Sequence, residues 1–164
     1  MDHDDFSAYV AARRARLVRT AVLLGCPAPD AEDLVQTVLV RLLRSWRRVS
    51  AAASPDAYVH RMLVNALHDA RSRRWTGETP SELPDRCGPE ADLATGLVVR
   101  RALAALGPDH RSALVLRFYA DLSERDAALA LGIAPGTVKS RVSRALAALA
   151  TDADIAGLAE ERSS

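Results

Sequence analysis

Aromatic residues are scarce in this 164-residue chain, which has two Phe, three Tyr and two Trp. Sheets draw on aromatic and β-branched side chains, so this shortage beside abundant Ala and Leu points to helices packed through aliphatic groups. Cysteine is as sparse: Cys26 and Cys87 lie far apart, form no CxxC pair and have no His at metal-ligand spacing. A disulfide framework and a zinc site are thus without support, and both thiols are expected to be reduced. No apolar run approaches the length that spans a bilayer, and Asp2, Asp4 and Asp5 stand where a signal peptide carries positive charge. A soluble, cytoplasmic chain with no membrane partner is expected. Also missing are a Ser/His/Asp grouping, a Gly-rich phosphate loop and a metal cluster, so neither catalytic residues nor a cofactor or metal are expected and an enzyme is the weakest reading.

The net charge of +1 conceals segments of opposite sign. Residues 41–75 carry eight arginines against Asp56 and Asp69, which leaves +6, and residues 97–150 carry +4. Residues 1–40, 76–96 and 151–164 carry −2, −4 and −3. Two cationic blocks joined by an anionic strap suggest a polyanion contacted at two places.

Apolar periodicity predicts one helix over about 4–24, with Phe6, Tyr9, Val10, Leu17, Val18, Ala21 and Leu24 on its buried face. Asp30 then reads as an N-cap with Asp33 three residues on, opening a second helix striped by Leu34, Val38, Leu42 and Trp46. Ser54-Pro55 opens a third, on which Tyr58, Val59, Met62, Leu63, Ala66, Leu67 and Ala70 face inward, opposite His60, Arg61, Asn65, His68 and Arg71. From Thr76 to about Pro89 periodicity vanishes among Gly, Pro and acids, the mark of a linker. Two helices follow, over about 91–106 and through Leu114, Val115 and Phe118. Ser123 caps a short helix that Gly132 stops, and Pro135 opens the last, to about Ala150. The expected fold is all-α: two small helical domains, 1–75 and 91–150, joined by a flexible acidic linker at 76–90 and followed by an acidic tail at 151–164.

Ala128, Gly132 and Val138 carry the most specific local signal. A small residue lets two helices cross, a glycine four positions on supplies positive φ, and an apolar residue six further anchors the second helix: a helix-turn-helix. Thr137, Lys139, Ser140, Ser143 and Arg144, with Arg141 nearby, then stand on the free face, while Val142, Ala145, Leu146 and Leu149 continue the buried stripe. No acid interrupts 135–150, hydroxyls at the helix start suit phosphate, and Lys139 and Arg144 could reach guanine edges.

Three blocks in order, Asp30-Ala-Glu-Asp33-Leu-Val-Gln36-Thr-Val-Leu-Val-Arg41, Ala57-Tyr58-Val-His-Arg61-Met-Leu-Val-Asn65-Ala, and Gly136-Thr-Val-Lys-Ser-Arg-Val-Ser-Arg144-Ala, resemble the extracytoplasmic-function sigma factors over about residues 4–150. The resemblance implies that Asp33, Gln36 and Arg41 bind core RNA polymerase at the clamp of its largest subunit. It implies that the third helix and the loop from Arg47 to Ser54 open the −10 promoter element, with Asn65 touching an extruded base and Arg47, Arg48, Arg61, Arg71, Arg73 and Arg74 holding the strands. Arg117 matches a backbone contact near the −35 element, which the recognition helix reads. An anti-sigma factor is a further candidate partner. The chain departs from the pattern at Thr37, where an acid is common, at Tyr58, where tryptophan is common, and in the Ala-rich loop 51–53, which offers few hydrogen-bonding groups.

A free-standing dimeric helix-turn-helix regulator explains the last 60 residues equally well, and predicts palindromic sites one helical turn apart. It does not explain why a sensing domain should end in a +6 block. A helical adaptor without DNA fits poorly with the basic recognition face.

Overall fold

The computed structural model describes residues 2–74, 93–153, 155–157 and 160. Among these, every regular element is helical: α1 (Asp2–Leu23), α2 (Ala28–Ser50), α3 (Pro55–Arg74), α4 (Leu93–Ala105), α5 (Pro108–Phe118), α6 (Glu124–Leu131) and α7 (Pro135–Ala150). The expected linker at 76–90 lies outside the described residues.

The first three helices pack around α2, which buries Val35, Val38, Leu39, Leu42, Trp46 and Val49 at three- and four-residue spacing. Each fully buried Val or Leu contributes about 1.5–3 kcal/mol. Trp46 packs edge-on to Phe6, with ring centroids 5.5 Å apart, and against Tyr9 at 5.1 Å, so these rings close the end of the bundle. Ser54 caps α3 as its sequence indicates: its Oγ accepts from the Ala57 N–H at 3.4 Å. Asp30 does not cap α2. That helix opens one turn earlier on Pro27 without a side-chain cap, and Asp30 sits inside the first turn, where its charge favours the helix dipole. Pro29, unable to donate a backbone hydrogen bond, fits the first turn and lets the helix begin ahead of the acid.

A polar network fixes α1 on the start of α3. Asp56 accepts from the Tyr9 hydroxyl at 2.5 Å and from Arg13 Nε and Nη2 at 2.7 and 3.2 Å. Burial alone would raise the Asp56 pKa, but the bonds from Arg13 and Tyr9 outweigh it and hold the carboxyl below its ordinary range. Burial and the bond to Asp56 push the Tyr9 phenol up, and the same carboxylate raises Arg13.

Two inward and outward assignments on α3 reverse. His60 is 7% exposed, donating from Nδ1 to the Asp56 carbonyl at 2.6 Å, whereas Tyr58 is 41% exposed. The reason is that α3 buries two faces. Val59, Leu63 and Ala66 form one buried stripe, while His60, Val64 and Leu67 widen it: His60 lies beside Arg13 and Arg16 of α1, and Val64 packs against the cluster that holds the α6 alanines. Tyr58 falls on neither.

The second block folds α5, α6 and α7 around one another. Its buried residues merge with the first: one cluster joins Leu17, Leu24 and Leu63 to Leu103, Leu106, Leu114, Val115 and Ala145. A smaller cluster of Leu116, Leu122, Ala127, Ala128, Ala130 and Val138 lies beneath the α6–α7 turn.

Burial lowers the His60 pKa from 6.5, so the folded state favours the neutral ring. Stability from this source is complete above about 6.5 and is lost as pH falls below it; Asp56, whose pKa is also lowered, adds a loss beginning below its ordinary 3.8. The urea midpoint is therefore expected to fall between pH 7.5 and 5, and H60Q to flatten that slope; an equal slope in the variant would show that another group titrates.

Candidate nucleic-acid interface

The turn between α6 and α7 follows from its residues. Ser123 accepts the Asp126 N–H at 3.0 Å, which caps α6 at its N-terminus. Gly132, at φ 67° and ψ 35°, ends it in the left-handed region, and the next N–H, from Ile133, returns to the Ala128 carbonyl at 3.1 Å. Ala134 is extended, and Pro135 sets the first turn of α7. Ala128 is 3% exposed and Val138 fully buried, as a small crossing residue and an anchor should be.

With Val138, Val142, Ala145 and Leu149 turned inward, Thr137, Lys139, Ser140, Ser143 and Arg144 are left exposed on one side of α7. Leu146, expected in the buried stripe, is instead 46% exposed. It sits about 80° round the helix from Val138, beyond the arc that α5 and α6 cover. Arg141 leans away from the exposed group toward α5, 3.7 Å from Asp109. Arg117 is half-buried and donates to the Leu122 carbonyl; it pins the turn at Asp121, whose φ is 59°, instead of pairing with the Asp121 carboxylate.

On α2, Asp33, Gln36 and Arg41 are all exposed. They flank Val40 and Leu43, which are 52% and 47% exposed, so the helix presents an apolar centre with polar edges. Glu32 is engaged by Arg14 at 2.9 Å. Thr37 turns its hydroxyl back to the Asp33 carbonyl at 3.0 Å. The stripe runs into a groove of about 510 Å³ lined by His3, Leu43, Arg44, Ser45, Trp46, Arg47 and Arg48. Arg47 and Arg48 sit in the last turn of α2, where cations complement the helix dipole, so the loop is shorter than Arg47–Ser54 and begins at Ala51.

The outward face of α3 aligns Tyr58, Arg61, Asn65 and His68 at three- and four-residue spacing, all exposed. Sequence reasoning placed Tyr58 in the core because it precedes Val59 on an apolar run; its spacing to Arg61 and Asn65 was the signal that could have placed it here. Arg71 is drawn off this face to the Leu24 carbonyl at 2.7 Å. Arg73 is exposed, Arg74 ends the helix, and the Arg74 side chain lies outside the described residues.

Two separate exposed faces, on α3 and α7, thus carry cations beside groups suited to bases, and a third on α2 suits a protein. The family comparison decides what they belong to: residues 5–76 match the model for sigma-70 region 2 and residues 97–149 that for sigma-70 region 4. This chain belongs to the sigma-70 family of RNA polymerase sigma factors. It is 35% identical over 152 residues to the RNA polymerase sigma-E factor of Streptomyces avermitilis, covering 88% of this chain and 83% of that one. It is 36% identical over 139 residues to the extracytoplasmic-function sigma factor SigM of Mycobacterium tuberculosis, covering 82% and 70%. These relatives identify it as an extracytoplasmic-function sigma factor, a family of non-catalytic factors that direct transcription initiation.

Among solved structures, it resembles the sigma factor RpoE of Bartonella quintana, crystallised with the anti-sigma factor NepR, at 27% identity and a TM-score of 0.70 over 88% of this chain and 93% of that one. It shares its fold with CnrH, solved with the cytosolic domain of CnrY, at a TM-score of 0.63 and 23% identity over 97% and 90%.

The Gly132 turn offers a clean test of its backbone. A Cβ added there would meet nothing within 4 Å, so Gly132→Ala introduces left-handed strain without a clash. We expect it to lower stability by about 1 kcal/mol, read by urea denaturation; an unchanged midpoint would contradict the strain.

Proposed function

We propose that this sigma factor, of the group 4 subfamily, divides its work as 1–75 for polymerase docking and −10 opening, an acidic strap at 76–90, 91–150 for the −35 element, and an acidic tail at 151–164. The order of the two matched regions and the charge pattern along the chain support this division. The observation that carries it is the pair of exposed cationic faces on α3 and α7, each beside groups that can address bases.

On α2, Val40 and Leu43 form the apolar centre of the polymerase contact, with Asp33, Gln36 and Arg41 setting its orientation at the rim. Acidic and basic edges suit the clamp of the largest subunit better than they suit DNA. On α3, promoter opening without a nucleotide fuel requires that an unstacked base be held while the backbone is neutralised. Asn65 can hydrogen-bond such a base, and Tyr58 adds a ring on which it can stack. Arg47, Arg48, Arg61, Arg71, Arg73 and Arg74 supply cations toward the strands. The alanines of loop 51–53 leave recognition to side chains of α3.

On α7, Thr137, Ser140 and Ser143 suit phosphate or base-edge contacts, and Lys139 and Arg144 guanine edges. Arg141 and Arg117 act at the margins, since each also has a partner within its own block. The chain works in the cytoplasm with polymerase and promoter DNA, and an anti-sigma factor is a further partner, as for the RpoE relative.

Purified chain added to core polymerase is expected to start transcription at two-element promoters. Tight binding to a palindromic site in the absence of core would favour a dimeric regulator instead. K139A and R144A are each expected to reduce discrimination of −35 sequence by about 1–3 kcal/mol while leaving core binding intact. Equal losses on scrambled −35 DNA would contradict base reading.

A further inference from the structure

Two guanidiniums meet at the turn between α1 and α2, a pairing that has no role in the promoter scheme above. Arg71 reaches the turn from the last part of α3, and Arg111 from the start of α5. Gly25, at φ 104°, lets both come close: a Cβ added there would lie 2.5 Å from Arg71 Nη2 and 2.7 Å from Arg111 Nη2. Two nitrogens that near one point lie within about 5 Å of each other, a gap that one oxyanion spans with charge-assisted bonds of about 2.7–2.9 Å.

The fold itself brings no anion to the pair. Arg71 donates from Nη2 to the Leu24 carbonyl at 2.7 Å, which fixes its position but leaves its charge uncompensated, and the residue is exposed. Arg111 Nε is buried with no hydrogen-bond partner, and burial and the Arg71 charge both disfavour the Arg111 cation. No carboxylate among the described residues offsets them. Asp109, the acid nearest to Arg111 in sequence, is turned to Arg141 at 3.7 Å. Like charges held together beside a half-buried surface raise the local potential, and a bound anion relieves the repulsion. The first turn of α5 adds the positive end of its helix dipole.

Among anions, phosphate matches the pair best. Each guanidinium is a planar fork that takes two oxygens. A phosphate group has oxygens for two forks, whereas a carboxylate fills one.

We propose that Arg71 and Arg111 form an anion site beside Gly25 that takes phosphate, either as the inorganic ion or as the terminal group of a nucleotide. Phosphate bound there ties the end of α1, α3 and the start of α5 together through one ligand. The site follows from the geometry of the free chain and does not depend on the promoter reading.

Phosphate strengthens folded proteins generally through exclusion from their surfaces, so the test compares the wild type with variants at matched ionic strength. Inorganic phosphate, titrated into the isotope-labelled full chain against sodium chloride, should give saturable shifts of the Gly25 and Arg111 amide signals with a Kd of about 1 mM. R111Q removes the charge but keeps a hydrogen-bonding side chain; it should weaken binding by about tenfold or more. In chloride buffer it should also raise the Tm, because the repulsion is gone. R71Q removes the other arm with the same effect on binding, and serves if R111Q loses helical content. ADP in place of phosphate separates the two sources: tighter binding than phosphate assigns a nucleotide, and equal or weaker binding assigns the inorganic ion. Shifts that do not saturate, or that persist unchanged in R111Q and R71Q, would overturn the proposal and leave the pair as solvated arginines.

Discussion

Everything else in the structure hangs on the burial of α3 on two sides. Val59, Leu63 and Ala66 form one buried stripe, and His60, Val64 and Leu67 a second. A helix held on two sides has a narrow arc left for solvent, and the arc that remains presents Tyr58, Arg61, Asn65 and His68. The exposed set on α3 is thus defined as much by what the packing excludes as by the residues themselves. The same double burial links the blocks, since Val64 of the second stripe packs against the cluster that holds the α6 alanines.

Placement of α3 depends in turn on the Arg13–Asp56–Tyr9 network. Its geometry is bidentate from the guanidinium, with the phenol supplying a further bond, an arrangement that fixes direction as well as distance. Asp56 lies in the first turn of α3, so the anion also sits at the favourable end of the helix dipole. One carboxylate therefore orients the helix, anchors α1 across it and sets the charge beside buried His60. The loop 51–54 is held between this anchor and the end of α2, which positions Arg47 and Arg48 at its rim without any polar side chain in 51–53.

Much of this was legible in the sequence. Helices α1 to α7 each begin or end at or within two residues of a Pro, Gly or Ser, and the Ala128–Gly132–Val138 spacing located the turn that the backbone adopts. Local rules succeeded where a local cause operates, as with the glycine forced into positive φ and the serine caps at Ser54 and Ser123. They failed where burial comes from a distant element. His60 is buried where α3 meets α1, beside Arg13 and Arg16 and bonded to the Asp56 carbonyl, whereas Tyr58 lies outside the buried arc of α3. Leu146 was misassigned because the three-helix core ends before its face. Asp30 had the composition of a cap, but Pro27 and Pro29 let the helix begin earlier. The partners of Arg71, Arg117 and Arg141 are carbonyls or acids brought near by folding, which no spacing rule reveals.

The account's central claim is that one buried cluster runs through both halves of the free chain. Small-angle X-ray scattering of the free chain tests that most directly. A single compact body should give a radius of gyration of about 15–17 Å, allowing for the tail. A value above ~20 Å with a broad distribution of distances would mean that the two blocks move independently, and would contradict it.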